Sequence, residues 1–280
     1  MRVQGLSRKA SRLAASLGLL LFTGAVSFPV VWMGYSSLKT NVEIYQRPWG
    51  LPQNPVWNNL TEAWQVGSLG KYVGNSVLVT LSAVLLIVFA ASLCGYACAR
   101  LPFRGKTWIQ SLFLLGLVLP IQAAVIPLYY LLKQMGLLNH RAALILPYAA
   151  WGLPIAMFIF RGFFAQIPKE YDEAGRIDGC GEFSLYWRIF LPLCKPAAGT
   201  VALFSALSCW NELLMAVLFV QDDALKTLPV GLLAFFGYRQ ADYSLLLAGL
   251  TLVTLPMLGV YFALQRTLMK GLTGGLGDLR

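Results

Sequence analysis

The chain has 280 residues, of which 58% are hydrophobic and only 12% charged, with a mean hydropathy of +0.65. Average soluble domains carry about 25% charged residues, so this composition excludes an ordinary water-soluble fold. The net charge of +10 suggests nucleic acid only if its distribution along the chain is ignored.

Runs of about 20 apolar residues cross a bilayer core of about 30 Å. Six are legible, at roughly 13–35, 75–99, 108–132, 143–164, 198–220 and 244–265. If the segments before 13, at 100–107, at 161–197 and at 266–280 share one side, that side holds fifteen of the 22 basic residues. Short loops rich in Lys and Arg stay cytoplasmic. The expectation is an all-α integral membrane protein with six transmembrane helices and both termini in the cytoplasm. Residues 1–70 are read as an N-terminal tail, first span and outer segment. Residues 71–265 form the core with spans two to six, and 266–280 a cytoplasmic tail.

The first span follows a basic head and resembles a signal peptide, but its apolar run reaches about Gly34, longer than the 7–15 residues of a cleaved peptide. It is therefore read as uncleaved. The segment 36–70 is rich in Pro, Asn and aromatic residues. Its Trp49, Trp57 and Trp64 suit headgroup depth, with ligand stacking as the other reading. Prolines recur in the spans, at Pro120, Pro127, Pro147, Pro154 and Pro256, where they kink helices at positions that neighbours or water resatisfy. The five cysteines form no disulfide pattern and read as small buried hydrophobes. His140 alone makes no metal site.

The fifth run contains "SCWNELLMAV", which sets Trp210, Asn211 and Glu212 inside an apolar segment. An acid near the bilayer centre costs about 2.5–3.5 kcal/mol on insertion scales. Glu212 must therefore face water, pair, or stay protonated. Lining of a substrate pathway and a structural hydrogen bond within the bundle are both open. Tyr148, Trp151, Trp210 and Asn211 could line the same pathway with aromatic faces and hydrogen-bonding groups, and each could equally be bundle packing.

Between the fourth and fifth runs lies "IPKEYDEAGRIDGCGEFSLYWRIFLP". Pro168 suits a first helical turn. Glu170, Asp172 and Glu173 suit the positive end of the helix dipole. Tyr171, Ala174, Ile177 and Cys180 recur every three residues as an apolar edge. Arg176 stands four after Asp172 and three after Glu173, a pairing distance on a helix. Gly179–Cys180–Gly181 then ends the helix, and Glu182–Phe190 begins a second. The expectation is a stiff lever with a small acidic docking face, held between two spans.

This stretch resembles the signature cytoplasmic loop of ABC importer permeases. Glu173, Ala174, Gly179, Ile189, Leu191 and Pro192 match its spacing, and Gly175 departs from its second alanine. "NSVLVT", "GYACARLPFRGK", "WNELLMAVLF", "KTLPVGL" and the long segment from Pro127 to Pro168 are similar to the carbohydrate-uptake, maltose-importer-like subgroup. The resemblance covers roughly Asn75 to Arg266. It implies a multi-pass inner-membrane permease working with a second homologous permease, an ABC ATPase dimer and an extracytoplasmic solute-binding protein, surrounded by membrane lipid. Glu170, Asp172, Glu173, Ala174, Gly175, Asp178 and Gly179 would form the coupling helix toward the ATPase.

No G-x-x-x-x-G-K-[ST] loop occurs, so ATP and Mg would belong to the partner ATPase, with no cofactor on this chain. No catalytic triad or metal set stands out, and the chain reads as a non-enzyme with no nucleic-acid partner. A permease for a non-sugar solute, a secondary transporter and a noncatalytic scaffold remain as alternatives. The paired internal repeat of many secondary transporters is not evident.

Overall fold

A bilayer offers no partner for backbone N–H and C=O groups, so a chain built of apolar runs must satisfy them within helices. Every element among the described residues is helical. The computed structural model describes residues 2–236, 242–255 and 257–259, with side chains from Ala15 onward. The first half comprises α1 (Arg2–Ser36), α2 (Asn41–Gln46), α3 (Asn58–Val66), α4 (Leu69–Arg100), α5 (Lys106–Val118), α6 (Ile121–Gln134) and α7 (Ala142–Gln166). Then come α8 (Glu170–Ile177), α9 (Glu182–Leu185), a π-turn at Tyr186–Phe190, α10 (Leu191–Leu193) and α11 (Lys195–Trp210). The last elements are α12 (Leu214–Phe219), α13 (Leu228–Leu232) and α14 (Tyr243–Gly259).

Three helices are apolar and long enough to cross a membrane unbroken: Ala15–Ser36 within α1, α4 and α7. Two bent pairs raise the number to five if each is one crossing. The run 108–132, expected as one span, is α5 and α6 meeting at 103°. Pro120 is the cause: it sits in extended conformation at the head of α6 and brings no N–H to continue α5. The second pair, Glu182–Leu193 with Lys195–Trp210, bends by 74°. The expected sixth span begins as α14, and its end, like the tail 266–280, lies outside the described residues.

The chain divides into two compact units. One unites the segment up to Leu69 with Leu232–Leu258. Here the connection after α1 is a built structure rather than a loose loop. The Lys39 ammonium is fully buried and donates to the carbonyls of Arg47 and Pro48, each at 3.1 Å. Asn59 Nδ2 donates to the carbonyls of Ser37 and Lys39 at 2.9 Å. Asp242 caps α14, accepting from the Leu245 N–H and from Asn41 Nδ2, both at 3.0 Å. Trp49, Trp57 and Trp64 stay exposed.

The other unit, Gly70–Gly231, holds the core of α4, α7 and the segments that follow. In lipid, helices associate by close packing at small residues rather than by hydrophobic burial. Gly95 of α4 lies so near α7 that a Cβ there would come 2.7 Å from Phe160 Cβ. Gly152 of α7 lies likewise against Ile87 of α4, at 2.6 Å. Phe160, Phe164, Tyr186 and Phe190 fill the space beneath, and the Tyr186 hydroxyl meets Ser92 Oγ at 2.7 Å. All five cysteines are free.

Candidate functional site

Two places in the second unit bring chemistry together. The first is the connection from α7 to α11. Helix α8 begins just after Pro168 and carries Glu170, Asp172 and Glu173 in its first turn, as the dipole favours. It ends in a Schellman turn. Gly179 takes a left-handed φ of 78°, the Cys180 N–H reaches the Gly175 carbonyl at 2.9 Å, and the Gly179 N–H reaches that of Arg176 at 3.0 Å.

The face that α8 turns inward is Asp172 and Gly175, not the expected apolar edge. A Cβ on Gly175 would overlap the Leu185 side chain and stand 3.1 Å from Ile189 Cδ1. The departure from alanine at 175 therefore serves packing within this chain. Tyr171, Ala174 and Ile177 point outward, Ile177 being 86% exposed, while Cys180 is half-buried. Glu170, Glu173, Asp178 and Gly179 are exposed beside them. The outward surface mixes acids with the apolar side chains of Tyr171, Ala174 and Ile177.

The ion pairs also differ from those the spacing predicts. Arg176 pairs with neither Asp172 nor Glu173; its Nη2 donates to Glu182 Oε1 at 2.8 Å. Asp172 instead accepts from Arg100 Nη1 at 3.1 Å, both side chains being largely buried. Arg100, the last residue of α4, also donates to the Ile167 carbonyl, and its guanidinium lies 4.9 Å from the centre of the Phe190 ring. Tyr96, one turn earlier, donates to Glu182 Oε2 at 3.3 Å. Removing one partner of a buried pair typically costs about 3–5 kcal/mol, because the other charge is left uncompensated. Neither Arg100 nor Tyr96 stood out in the sequence as an anchor of α8: Arg100 counted only among the topology-setting basic residues, and both lie within the segment GYACARLPFRGK.

The second place is a cavity of about 390 Å³ walled by α4, α5, α6, α7, α11 and α12. Of the five residues expected along a pathway, Tyr148, Trp151 and Glu212 line it; Trp210 and Asn211 do not. Ser205, Ser208 and Phe204 of α11 complete its aromatic and hydroxyl lining, and none of them stood out in the sequence.

Glu212 is not in mid-helix. The run 198–220 breaks after Trp210 and resumes at Leu214. Asn211 Nδ2 donates to the Leu207 carbonyl at 2.8 Å, closing α11. The Glu212 carboxylate accepts from the backbone N–H groups of Met215 at 2.9 Å and Ala216 at 3.2 Å, opening α12. Its Oε2 also accepts from the Tyr148 hydroxyl at 2.7 Å. The polar pair that reads as a defect in an apolar run is thus the pair of caps that makes the break. The carboxylate already has three donors, which leaves the Trp151 ring and the serine hydroxyls as the freer groups of the cavity.

Comparison with known proteins places these features. Residues 87–273 match the family described as binding-protein-dependent transport system inner membrane component. The chain is 36% identical to the probable ABC transporter permease protein YurM of Bacillus subtilis, over 92% of this chain and 85% of that one. It is 35% identical to the diacetylchitobiose uptake system permease protein NgcG of Streptomyces coelicolor, over 92% and 86%. It is 34% identical to the melibiose/raffinose/stachyose import permease protein MelC of B. subtilis, over 86% and 87%. Its fold is similar to that of a chain in the crystal structure of a bacterial ABC transporter involved in the import of the acidic polysaccharide alginate. That match has a TM-score of 0.82 at 19% identity and covers 93% of this chain and 97% of that one.

Proposed function

The chain belongs to the family of binding-protein-dependent transport system inner membrane components, and from that premise we propose that it is the permease subunit of an ABC importer for an oligosaccharide or related sugar. Relatives named for diacetylchitobiose and for melibiose, raffinose and stachyose support the cargo class. Like its relatives, the chain is a permease of the inner membrane and not an enzyme.

The observation that carries the mechanism is the braced helix α8, whose outward face holds Glu170, Tyr171, Glu173, Ala174 and Ile177. A capped helix fixed to spans at both ends transmits displacement; a flexible loop would absorb it. ATP and Mg bound between two separate ATPase subunits would close them against this face. Glu170, Glu173, Ala174, Asp178 and Gly179 would meet the ATPase, while Asp172 and Gly175 hold the helix on its seat. Tilting a two-state equilibrium from 1:99 to 99:1 takes about 5.5 kcal/mol, and this is the work the helix must pass on.

In this reading the chain crosses the membrane six times with both termini cytoplasmic. Residues 71–265 form the transport core, 1–70 the N-terminal tail, first span and outer segment, and 266–280 a cytoplasmic tail. A second homologous permease completes the pathway, and an extracytoplasmic solute-binding protein delivers the sugar. Trp151, with Tyr148 and Glu212 shaping the wall beside it, would flank the solute's route; Trp210 and Asn211 act through the helix break.

The test is uptake of raffinose and diacetylchitobiose into proteoliposomes holding both permeases. Uptake that requires the ATPase, internal ATP and the binding protein supports the proposal. Uptake driven by an ion gradient without the ATPase would overturn it in favour of a secondary transporter.

A further inference from the structure

Helix α8 is joined covalently to α7 and α9, yet its most buried ion pair, Asp172 with Arg100, reaches the end of α4. We propose that Arg100 is the positioning residue that makes span α4 move with α8, so that displacement of the loop helix reaches the cavity wall through this guanidinium. The proposal rests on the reading of α8 as the surface the ATPase handles, and names the route by which that handle acts.

Three segments converge on this one planar group. Its Nη1 holds Asp172 in the first turn of α8 at 3.1 Å, its Nη2 holds the carbonyl of Ile167 just after α7, and its face covers Phe190 in the π-turn at 4.9 Å. The Arg100 side chain is 7% exposed and that of Asp172 is 13% exposed, so water competes weakly for either. A guanidinium presents a fixed fork of donors, and two prongs reaching two segments define both a distance and an angle. Both terminal nitrogens of the fork are thus engaged, one on α8 and one on the end of α7.

A second grip lies one turn back on the same face of α4. Tyr96 donates to Glu182 Oε2 at 3.3 Å, and Glu182 Oε1 accepts from Arg176 in the last turn of α8 at 2.8 Å. Helix α8 is therefore tied to α4 directly at its first turn and through Glu182 of α9 at its last. Farther along α4, Ile87 forms part of the cavity lining and packs on Gly152 of α7. At 1.5 Å per residue Ile87 stands about 20 Å from Arg100 along the helix axis. A rigid helix with an anchor at one end and a cavity residue along its length is the physical element such coupling requires.

The experiment uses the assembled importer with a hydrolysis-deficient ATPase, so that Mg-ATP binding alone is the stimulus. Hydrogen exchange is followed in peptides from α8 and from the 90–100 end of α4, for the parent, Arg100→Ala, Arg100→Lys and Asp172→Asn. In the parent, ATP changes exchange in both. In Arg100→Ala and Asp172→Asn the α8 change persists, while the α4 change falls about fivefold or more in rate; Arg100→Lys, keeping the charge but not the planar fork, restores part of it. A merely structural role would raise exchange before ATP is added and leave the ATP-dependent difference in α4 intact. Asp172→Asn keeps the shape of the site and decides the matter if Arg100→Ala does not assemble. An α4 response in Asp172→Asn equal to the parent's overturns the proposal. Silence of α8 in the parent would instead overturn the reading of α8 on which it rests.

Discussion

Replacing Glu212 by Ala removes the acceptor of three hydrogen bonds at once: from the Tyr148 hydroxyl at 2.7 Å, the Met215 N–H at 2.9 Å and the Ala216 N–H at 3.2 Å. Loss of a helix cap costs about 0.5–2 kcal/mol. The buried Tyr148 hydroxyl left without a partner costs about 1–3 kcal/mol more. The expected destabilisation is therefore about 1.5–5 kcal/mol, and at about 2–4 °C per kcal/mol for a domain of this size the unfolding midpoint should drop visibly. Glu212→Gln keeps one acceptor but exchanges charge-assisted bonds for neutral ones, so its cost should be about 1–2 kcal/mol, with assembly preserved and transport reduced. Tyr148→Phe should cost least, because the carboxylate keeps both backbone donors. The assay is thermal unfolding of the purified complex in nanodiscs, with transport measured in parallel. The double variant Tyr148→Phe/Glu212→Gln should fall short of additivity, since the two groups share one bond. An unchanged midpoint for Glu212→Ala, or strict additivity in the double variant, would refute the capping role.

Gly175→Val places a branched side chain where Leu185 and Ile189 already pack; the complex should form with α8 displaced, lowering solute transported per ATP, as measured in proteoliposomes. Gly179→Val forces an L side chain into a left-handed φ of 78°, at a cost of about 1–2 kcal/mol, and should increase protease cleavage around 179 while leaving Gly179→Asn milder. Asp223 is held below the usual aspartate range, first by the hydrogen bond from the Lys226 ammonium and next by that from the Tyr72 hydroxyl, against the opposing effect of burial. A lowered carboxyl stabilises the folded state fully above the ordinary aspartate pKa of 3.8, and that contribution is lost as pH falls through the native value. The protection factors of amides at 220–228, measured relative to their intrinsic exchange rates, should therefore fall on acidification below about pH 4 in the parent and change less with pH in Asp223→Asn.

How far the sequence was readable varies with the reach of each interaction. The acid-led first turn of α8, its glycine stop at Gly179 and the second helix from Glu182 are local effects, and all were legible. So was the position of the long apolar helices, because hydropathy reports the solvent directly. The angle between α5 and α6 was not, since Pro120 announces a break without stating its size. The inward face of α8 was misread because periodicity ranks side chains by polarity, whereas this helix buries an aspartate that finds Arg100, 72 positions earlier, and a glycine that admits Leu185. Asn211 and Glu212 were noticed as polar intruders, but capping of a broken helix depends on a backbone geometry that composition alone does not reveal. Trp151 and Tyr148 were chosen for their chemistry, and the cavity brought them together with serines of α11 that no pattern marked.

The most direct test of α8 as the ATPase's handle is a photo-crosslinking amino acid placed at Ile177, the exposed apolar residue of its last turn, in membranes holding the complete importer. The expected result is capture of the ATPase subunit at a yield that changes when Mg-ATP is added, with none from the same probe at Trp57. Capture from Trp57 but never from Ile177, or none at either position in a complex that still transports, would contradict the account.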